Sequence, residues 1–305
     1  MNDESNKEPK RFVALVLAAD RTAKDPITQH TGAACKAFAP VAGIPMVIRV
    51  LDALAASDQI AKIILCGPPE SLLPHCPELK QRIASKQITW LPNLDSPSRS
   101  AESGFSHVPS NMPVLLTTAD HALLTTALVD DFLRKSMAAH ADATVGVANQ
   151  QAIAAAFPGA KRTVIRLRDG GFCGCNLFTF NPHGRGLVRF WRQAEDLRKR
   201  PWQLIARVLS PKIVLSYLFG FLTLQHAFDS VSKKSGINIQ AIMLNDPRAG
   251  VDVDKIEDLV LAESILNQKS PLFHDNNPSV WSLPASLSLG FNISLKPSQQ
   301  IYEIN

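Results

Sequence analysis

FVALVLA, residues 12–18, is a continuous apolar run rich in Val and Leu. A strand with one wet face alternates polar and apolar residues. A run without alternation predicts a strand covered on both faces, as in a parallel sheet packed between helices. The following segments fit that frame. Residues 45–57 (PMVIRVLDALAAS) place apolar side chains at helical spacing, and residues 62–66 (KIILC) form a second apolar run ending at Gly67-Pro68-Pro69. Strand, helix and strand within about 55 residues make a βαβ unit.

The alternation continues with a helix over 78–84, a strand over 87–91, a Ser-rich loop and a helix from about Ser100. A strand over 112–118, a helix over 126–140 and a strand over 143–148 complete a doubly wound α/β pattern. From Ala152 the pattern loosens. Strands are expected over 163–167 and 177–180 around a Gly-Gly turn at 170–171. Basic helical sequence follows over 187–208, interrupted at Pro201, then one apolar helical stretch over 215–232 and a strand over 239–244. Residues 256–266 (IEDLVLAESIL) form an amphipathic helix with acidic residues in its first turn, where the helix dipole favours them.

Composition agrees with one large core. Of 305 residues 46% are hydrophobic and 19% charged, which excludes a disordered or fibrous chain. The longest nearly uncharged apolar stretch, within 213–224, is shorter than the roughly 20 residues a membrane span needs. Residues 1–11 are polar and carry no apolar leader run, so a cytoplasmic protein is expected. Five scattered cysteines read as reduced, buried thiols. The predicted organisation is a polar segment over 1–11, one domain over 12–267, and a Ser/Pro/Asn-rich tail over 268–305.

The net charge of +5, from 32 Lys plus Arg against 27 Asp plus Glu, is compatible with an anionic partner and does not call for nucleic acid. Seven cations between Arg185 and Arg207 face only Glu195 and Asp196. They form a solvated helix face, or a surface for an anionic acceptor or for peripheral membrane contact together with the apolar stretch 213–224.

Four groups of residues could carry chemistry. The loop after the first strand, Leu17-Ala-Ala-Asp-Arg21, lies where open parallel sheets bind phosphates; Arg21 offers forked donors and Lys36 a mobile point charge. Asp120 follows an apolar strand directly, a position suited to holding a hard divalent cation or to capping the next helix. In Val251-Asp-Val-Asp254, alternation puts Asp252 and Asp254 on one face, with Asp254 read as the cap of the following helix and Asp252 as a ligand. In the stretch from Arg162-Thr163 through Asp169-Gly-Gly-Phe-Cys-Gly-Cys-Asn176, glycines at 170, 171 and 174 permit close backbone approach and Asn176 offers donor and acceptor to a second substrate; a Gly-rich hairpin turn is the alternative.

Taken in order, VLAADR, KAFAPVAGIPMVIRVLDAL, TTADHALLT and VDVDKIEDLVLAESIL resemble the MobA-like nucleotidyltransferases over about residues 12–267. Relatives of that family include molybdenum-cofactor, sugar-phosphate and methylerythritol-phosphate nucleotidyltransferases. The resemblance implies a Rossmann-like, three-layer α/β/α fold with a mostly parallel mixed sheet. It also implies Mg²⁺-dependent transfer of an NMP from an NTP to a phosphorylated small acceptor, with release of pyrophosphate.

Carried over by position, Leu17, Ala18, Ala19, Asp20 and Arg21 would hold the triphosphate. Lys36 would neutralise charge at the α-phosphate, and Asp120 and Asp252 would hold Mg²⁺. Gly67, Ser98 and Ser100 would read the base, and Gly174 and Asn176 would meet the acceptor. The first loop lacks the glycines usual in the family, having Asp20-Arg21-Thr22-Ala23-Lys24, which keeps a catalytically silent nucleotide-binding protein as one alternative. A GT-A-like glycosyltransferase using a nucleotide sugar is the other, although its expected Asp-x-Asp here reads Ala119-Asp120-His121.

Overall fold

The run that opens the fold is strand β1 (Phe12–Leu17), and all six of its side chains are buried. It pairs in parallel with β4 (Ile60–Cys66) on one side and β6 (Val114–Thr118) on the other, so it has no free edge. Its two faces enter different cores. Phe12, Ala14 and Val16 share one with α2 (Met46–Ala55), α3 (Pro77–Ala84), α5 (Thr126–Ala138) and α6 (Gln150–Ala156). Val13, Leu15 and Leu17 share the other with α4 (Pro97–Ser106) and α7 (Leu187–Asp196). Two buried faces are the physical reason for unbroken hydrophobicity.

The computed structural model describes residues 12–18, 25–196 and 211–267. The chain divides into two units, Met1–Gln268 and Lys269–Asn305, of which the second lies outside the described residues. Within the first, an eight-stranded sheet has the order β10-β7-β9-β6-β1-β4-β5, with β8 paired to β9. Here β5 is Thr89–Leu91, β7 Ala143–Asn149, β8 Ile165–Leu167, β9 Gly170–Phe180 and β10 Ile239–Leu244, while β2 (Pro40–Val41) and β3 (Ile44–Pro45) pair as a separate two-stranded ribbon. The sheet is parallel except at β9, which runs antiparallel between β6 and β7 and against β8. The fold is thus the three-layer α/β/α arrangement with a mostly parallel mixed sheet. Helix α4 sits so close that a Cβ on Gly104 would come within 2.4 Å of Leu15 and 3.1 Å of Cys66.

Three local expectations are corrected. Gly170 and Gly171 are not the hairpin turn; Arg168 and Asp169 turn the chain, and the glycines open the eleven-residue strand β9. Residues 215–232 are not one helix. They are divided between α8 (Pro211–Leu218) and α9 (Leu224–Ser235), because Gly220 takes φ +71 and the Thr223 hydroxyl caps the second helix. Helix α4 begins before Ser100, with Ser96 as its cap and Pro97 in its first turn. The basic stretch expected over 187–208 is helical as α7; its remainder lies outside the described residues.

All five cysteines are free and buried. Among the described residues no helix is long and apolar enough to cross a membrane.

A third, smaller core positions the carboxylates of interest. Ile27 of α1 (Pro26–Thr31), Met46, Leu123, Val251, Val253 and Leu259 of α10 (Ile256–Asn267) pack together. Val251 and Val253 are fully buried there, so alternation turns Asp252 and Asp254 to the opposite face.

Candidate active site

The ends of β1, β4 and β6 lie side by side. The Ala119 amide donates to Leu17 O (2.9 Å), and the Ala18 amide donates to Cys66 O (2.9 Å). Gly67 follows β4 with φ +82, and a Cβ there would fall 2.9 Å from Ala18 O, so only glycine fits beside the start of the first loop. Leu17, Ala18 and Gly67 therefore adjoin one another. Ala19, Asp20 and Arg21 lie outside the described residues.

Asp120 stands directly after β6. Its Oδ1 accepts from the Thr118 hydroxyl (2.6 Å) and its Oδ2 from Lys36 Nζ (2.8 Å). The same ammonium reaches Asp254 Oδ1 at 2.7 Å. Asp120 O accepts from the Val253 amide (3.0 Å), which ties the strand end to the 251–254 segment. Burial opposes the charged form of Lys36, but the Asp120 and Asp254 carboxylates outweigh it and hold the ammonium above its ordinary range. Burial likewise opposes the Asp120 carboxylate, and Lys36 more than compensates, keeping it below the usual value.

Asp252 lies within electrostatic range of Asp120 and Asp254. Its Oδ1 accepts from Arg162 (2.8 Å) and its Oδ2 from the Asn176 amide (3.0 Å). Asn176 can reach it because β9 bulges against β7 between Val145 and Val147, and Asn176 takes φ +48, a conformation Asn tolerates. Arg162 also donates to Asp258, whose second oxygen accepts the amides of Asp254 and Lys255 (3.1 Å each). The cap of α10 is thus served by Asp258, and Asp254, expected as the cap, instead binds Lys36. A pocket of about 270 Å³ opens here, lined among others by Lys161, Arg162, Gly174, Asn176, Asp252 and Lys255.

Burial, then the nearby Asp254 and Asp120 charges, push Asp252 up to about 6; Arg162 offsets this only in part. A carboxyl raised above its ordinary 3.8 favours the folded state most when protonated, and that contribution is lost as pH rises through 6. In chelator, stability of the parent relative to Asp252→Asn is expected to fall by roughly 2 kcal/mol between about pH 4 and 7. Parallel pH–stability curves in urea titrations would refute this.

Two expected base readers are placed differently. Ser98 and Ser100 are fully buried, and the Ser100 hydroxyl accepts from the Leu94 amide (2.9 Å) while Ser98 Oγ lies 3.2 Å from Ser96 Oγ. Both shape the loop before α4, with no exposed hydroxyl to meet a base edge. Asp120, Asp252, Lys36, Gly174 and Asn176 are brought together. Arg162, Asp254 and Asp258 complete the arrangement in roles the sequence did not disclose, since their partners lie far away in the chain.

The donor set suits a divalent cation. Four carboxylates (Asp120, Asp252, Asp254, Asp258) are interleaved with two cations (Lys36, Arg162), and the mutual repulsion is registered in the raised Asp252. No group of three or more converging metal-ligand side chains occurs among the described residues. Carboxylate oxygens are the ligand type that hard divalent cations take. His121 is a poor substitute for the second acid of an Asp-x-Asp: its ring is 1% exposed and burial lowers it to about 4, so it is neutral and turned into the core.

The fold is a three-layer α/β/α arrangement with a charged cluster beside the end of β6. The model of the MobA-like NTP transferase domain matches residues 14–198, and the chain belongs to that family, which makes it a nucleotidyltransferase. A hypothetical transferase from Thermus thermophilus is 31% identical, with a TM-score of 0.67 over 82% of this chain and 99% of its own. CMP:2-keto-3-deoxy-manno-octonic acid synthetase, solved with CTP, shares the fold at 12% identity and a TM-score of 0.54, over 85% of this chain and 100% of its own. None of the curated proteins matches.

Proposed function

We propose that this nucleotidyltransferase transfers an NMP from an NTP to a phosphorylated small molecule, with Mg²⁺ as the cofactor and pyrophosphate as the second product. The observation that carries the reading is the Lys36 ammonium held between Asp120 and Asp254, next to a pocket edged by Asp252 and Asn176. In such a transfer an acceptor phosphate oxygen forms the new bond to the α-phosphorus and the bond to the pyrophosphate oxygen breaks. No side-chain nucleophile is needed; catalysis is positioning and electrostatics.

Mg²⁺, held by Asp120 and Asp252, would supply charge neutralisation at the phosphates. Lys36 is the mobile cation that shifts from its carboxylates toward the α-phosphate oxygens as negative charge gathers there. Leu17, Ala18 and Gly67 border the start of the first loop, and Arg21, outside the described residues, would meet the triphosphate. Arg162 holds Asp252, which accepts from Asn176 on its other oxygen. Gly174 and Asn176 border the acceptor pocket, where Lys161 and Lys255 offer charge to the acceptor's own phosphate.

The test is a thermal-shift screen of the four NTPs with and without Mg²⁺, followed by pyrophosphate release against a panel of sugar and polyol phosphates. One NTP is expected to raise Tm with Mg²⁺ present, since a ligand of the folded state stabilises it, and to yield pyrophosphate only with an acceptor. Binding without pyrophosphate release from any acceptor would overturn the transfer reading in favour of a silent nucleotide-binding protein.

A further inference from the structure

The turn after α8 exposes large apolar side chains. Leu218 is 71% exposed, Phe219 70% and Phe221 63%. Side chains exposed to this degree are largely free of contact with their neighbours. The turn is fastened at its base. The Phe221 and Leu222 amides donate to Ser216 O, Leu222 is buried, its carbonyl accepts from the Arg168 amide, and Asp169 accepts from the Leu224 amide. A hydrogen-bonded turn anchored by one buried Leu thus holds three apolar side chains out in water, a costly arrangement unless something covers them.

The surrounding charge identifies what does. From Pro211 to Phe228 the sequence contains no Asp or Glu. Lys212 is exposed, as are Arg166 and Arg168 on the hairpin against which the turn is hydrogen-bonded. Asp169, the acid beside them in that hairpin, is occupied in capping Leu224. Exposed Leu and Phe side chains bordered by Lys and Arg are the combination that inserts into the headgroup region of an anionic bilayer.

We propose that this face docks the protein on anionic lipid, with Leu218, Phe219 and Phe221 inserted and Arg166, Arg168 and Lys212 at the headgroups. The hairpin β8–β9 that backs the turn also borders the pocket through Ile165, so the docked protein holds its pocket beside the lipid surface. The docking does not depend on the transfer reading, and its test contains no nucleotide.

The full chain is sedimented with phosphatidylcholine vesicles and with vesicles containing one-third phosphatidylglycerol. At about 1 kcal/mol per cation near the surface, binding to the anionic vesicles is expected to be at least tenfold tighter and to weaken with salt. The Leu218→Ser/Phe219→Ser pair is expected to lose at least tenfold. In a second measurement Phe219→Cys is labelled with an environment-sensitive fluorophore, selectively because the native cysteines are buried, and its emission should shift to the blue on anionic vesicles alone. No anionic binding, equal binding to both vesicles, or an unshifted label would overturn the proposal. So would self-association of the parent that the Ser pair abolishes without any vesicle binding, which would assign the face to a second copy.

Discussion

Asp120→Asn is expected to release pyrophosphate at least ~10²-fold more slowly than the parent, the usual cost of removing one preorganised electrostatic group from a transition state. The substitution keeps the shape and retains an oxygen for the Thr118 hydroxyl, which donates to Asp120 Oδ1 at 2.6 Å. What it removes is the charge opposite Lys36 Nζ. Lys36 keeps Asp254, so it is not left alone in a low-dielectric site. Stability is therefore expected to move far less than turnover, and that contrast is the informative part. Full turnover by Asp120→Asn would remove Asp120 from the reaction; equal losses of turnover and folded protein would reduce it to a structural residue.

Arg162→Met is expected to unfold at a temperature roughly 10 °C below the parent. The Arg162 side chain is 7% exposed, and one of its two partners, Asp258, is 10% exposed. Removing one member of a buried ion-paired set costs about 3–5 kcal/mol, because the remaining charge keeps its desolvation penalty and loses its compensation. For a domain of this size each kcal/mol is worth about 2–4 °C. Arg162 Nε has no hydrogen-bond partner within the described protein. Its two remaining nitrogens hold Asp252 beside Asn176 and Asp258 at the start of α10. Arg162→Lys, with a single point of charge, is expected to recover only part of the loss. Melting of Arg162→Met within about 2 °C of the parent would contradict this account.

The layers and sheet direction were legible because local patterns dictate them. FVALVLA could only be a doubly covered strand, and the alternation in VDVD put Asp252 and Asp254 on one face as the buried Val251 and Val253 require. Asp120 was legible from its place after an apolar strand. Pairings across the chain were not. Lys36 meets Asp254 over 218 positions and Arg162 meets Asp258 over 96, separations at which no periodicity carries a signal. Glycines misled where their local preference for turns was overridden by tertiary pairing, as in β9. Ser98 and Ser100 looked like exposed loop hydroxyls, but capping of α4 at Ser96 drew them into the interior.

The same long separations bear on how the protein is made. At elongation rates of about 5–20 residues per second, roughly 7–28 s pass between synthesis of Asp120 and of Asp258, 138 positions later. During that interval β1, β4 and β6 are available to pair, and Lys36 has Asp120 within its reach, but Asp252, Asp254 and the start of α10 do not yet exist. The nascent chain thus holds half of its charged centre, lacking the carboxylates that complete it. The ion pairs of Lys36 with Asp254 and of Arg162 with Asp252 and Asp258 therefore close only once the 251–258 segment has been made.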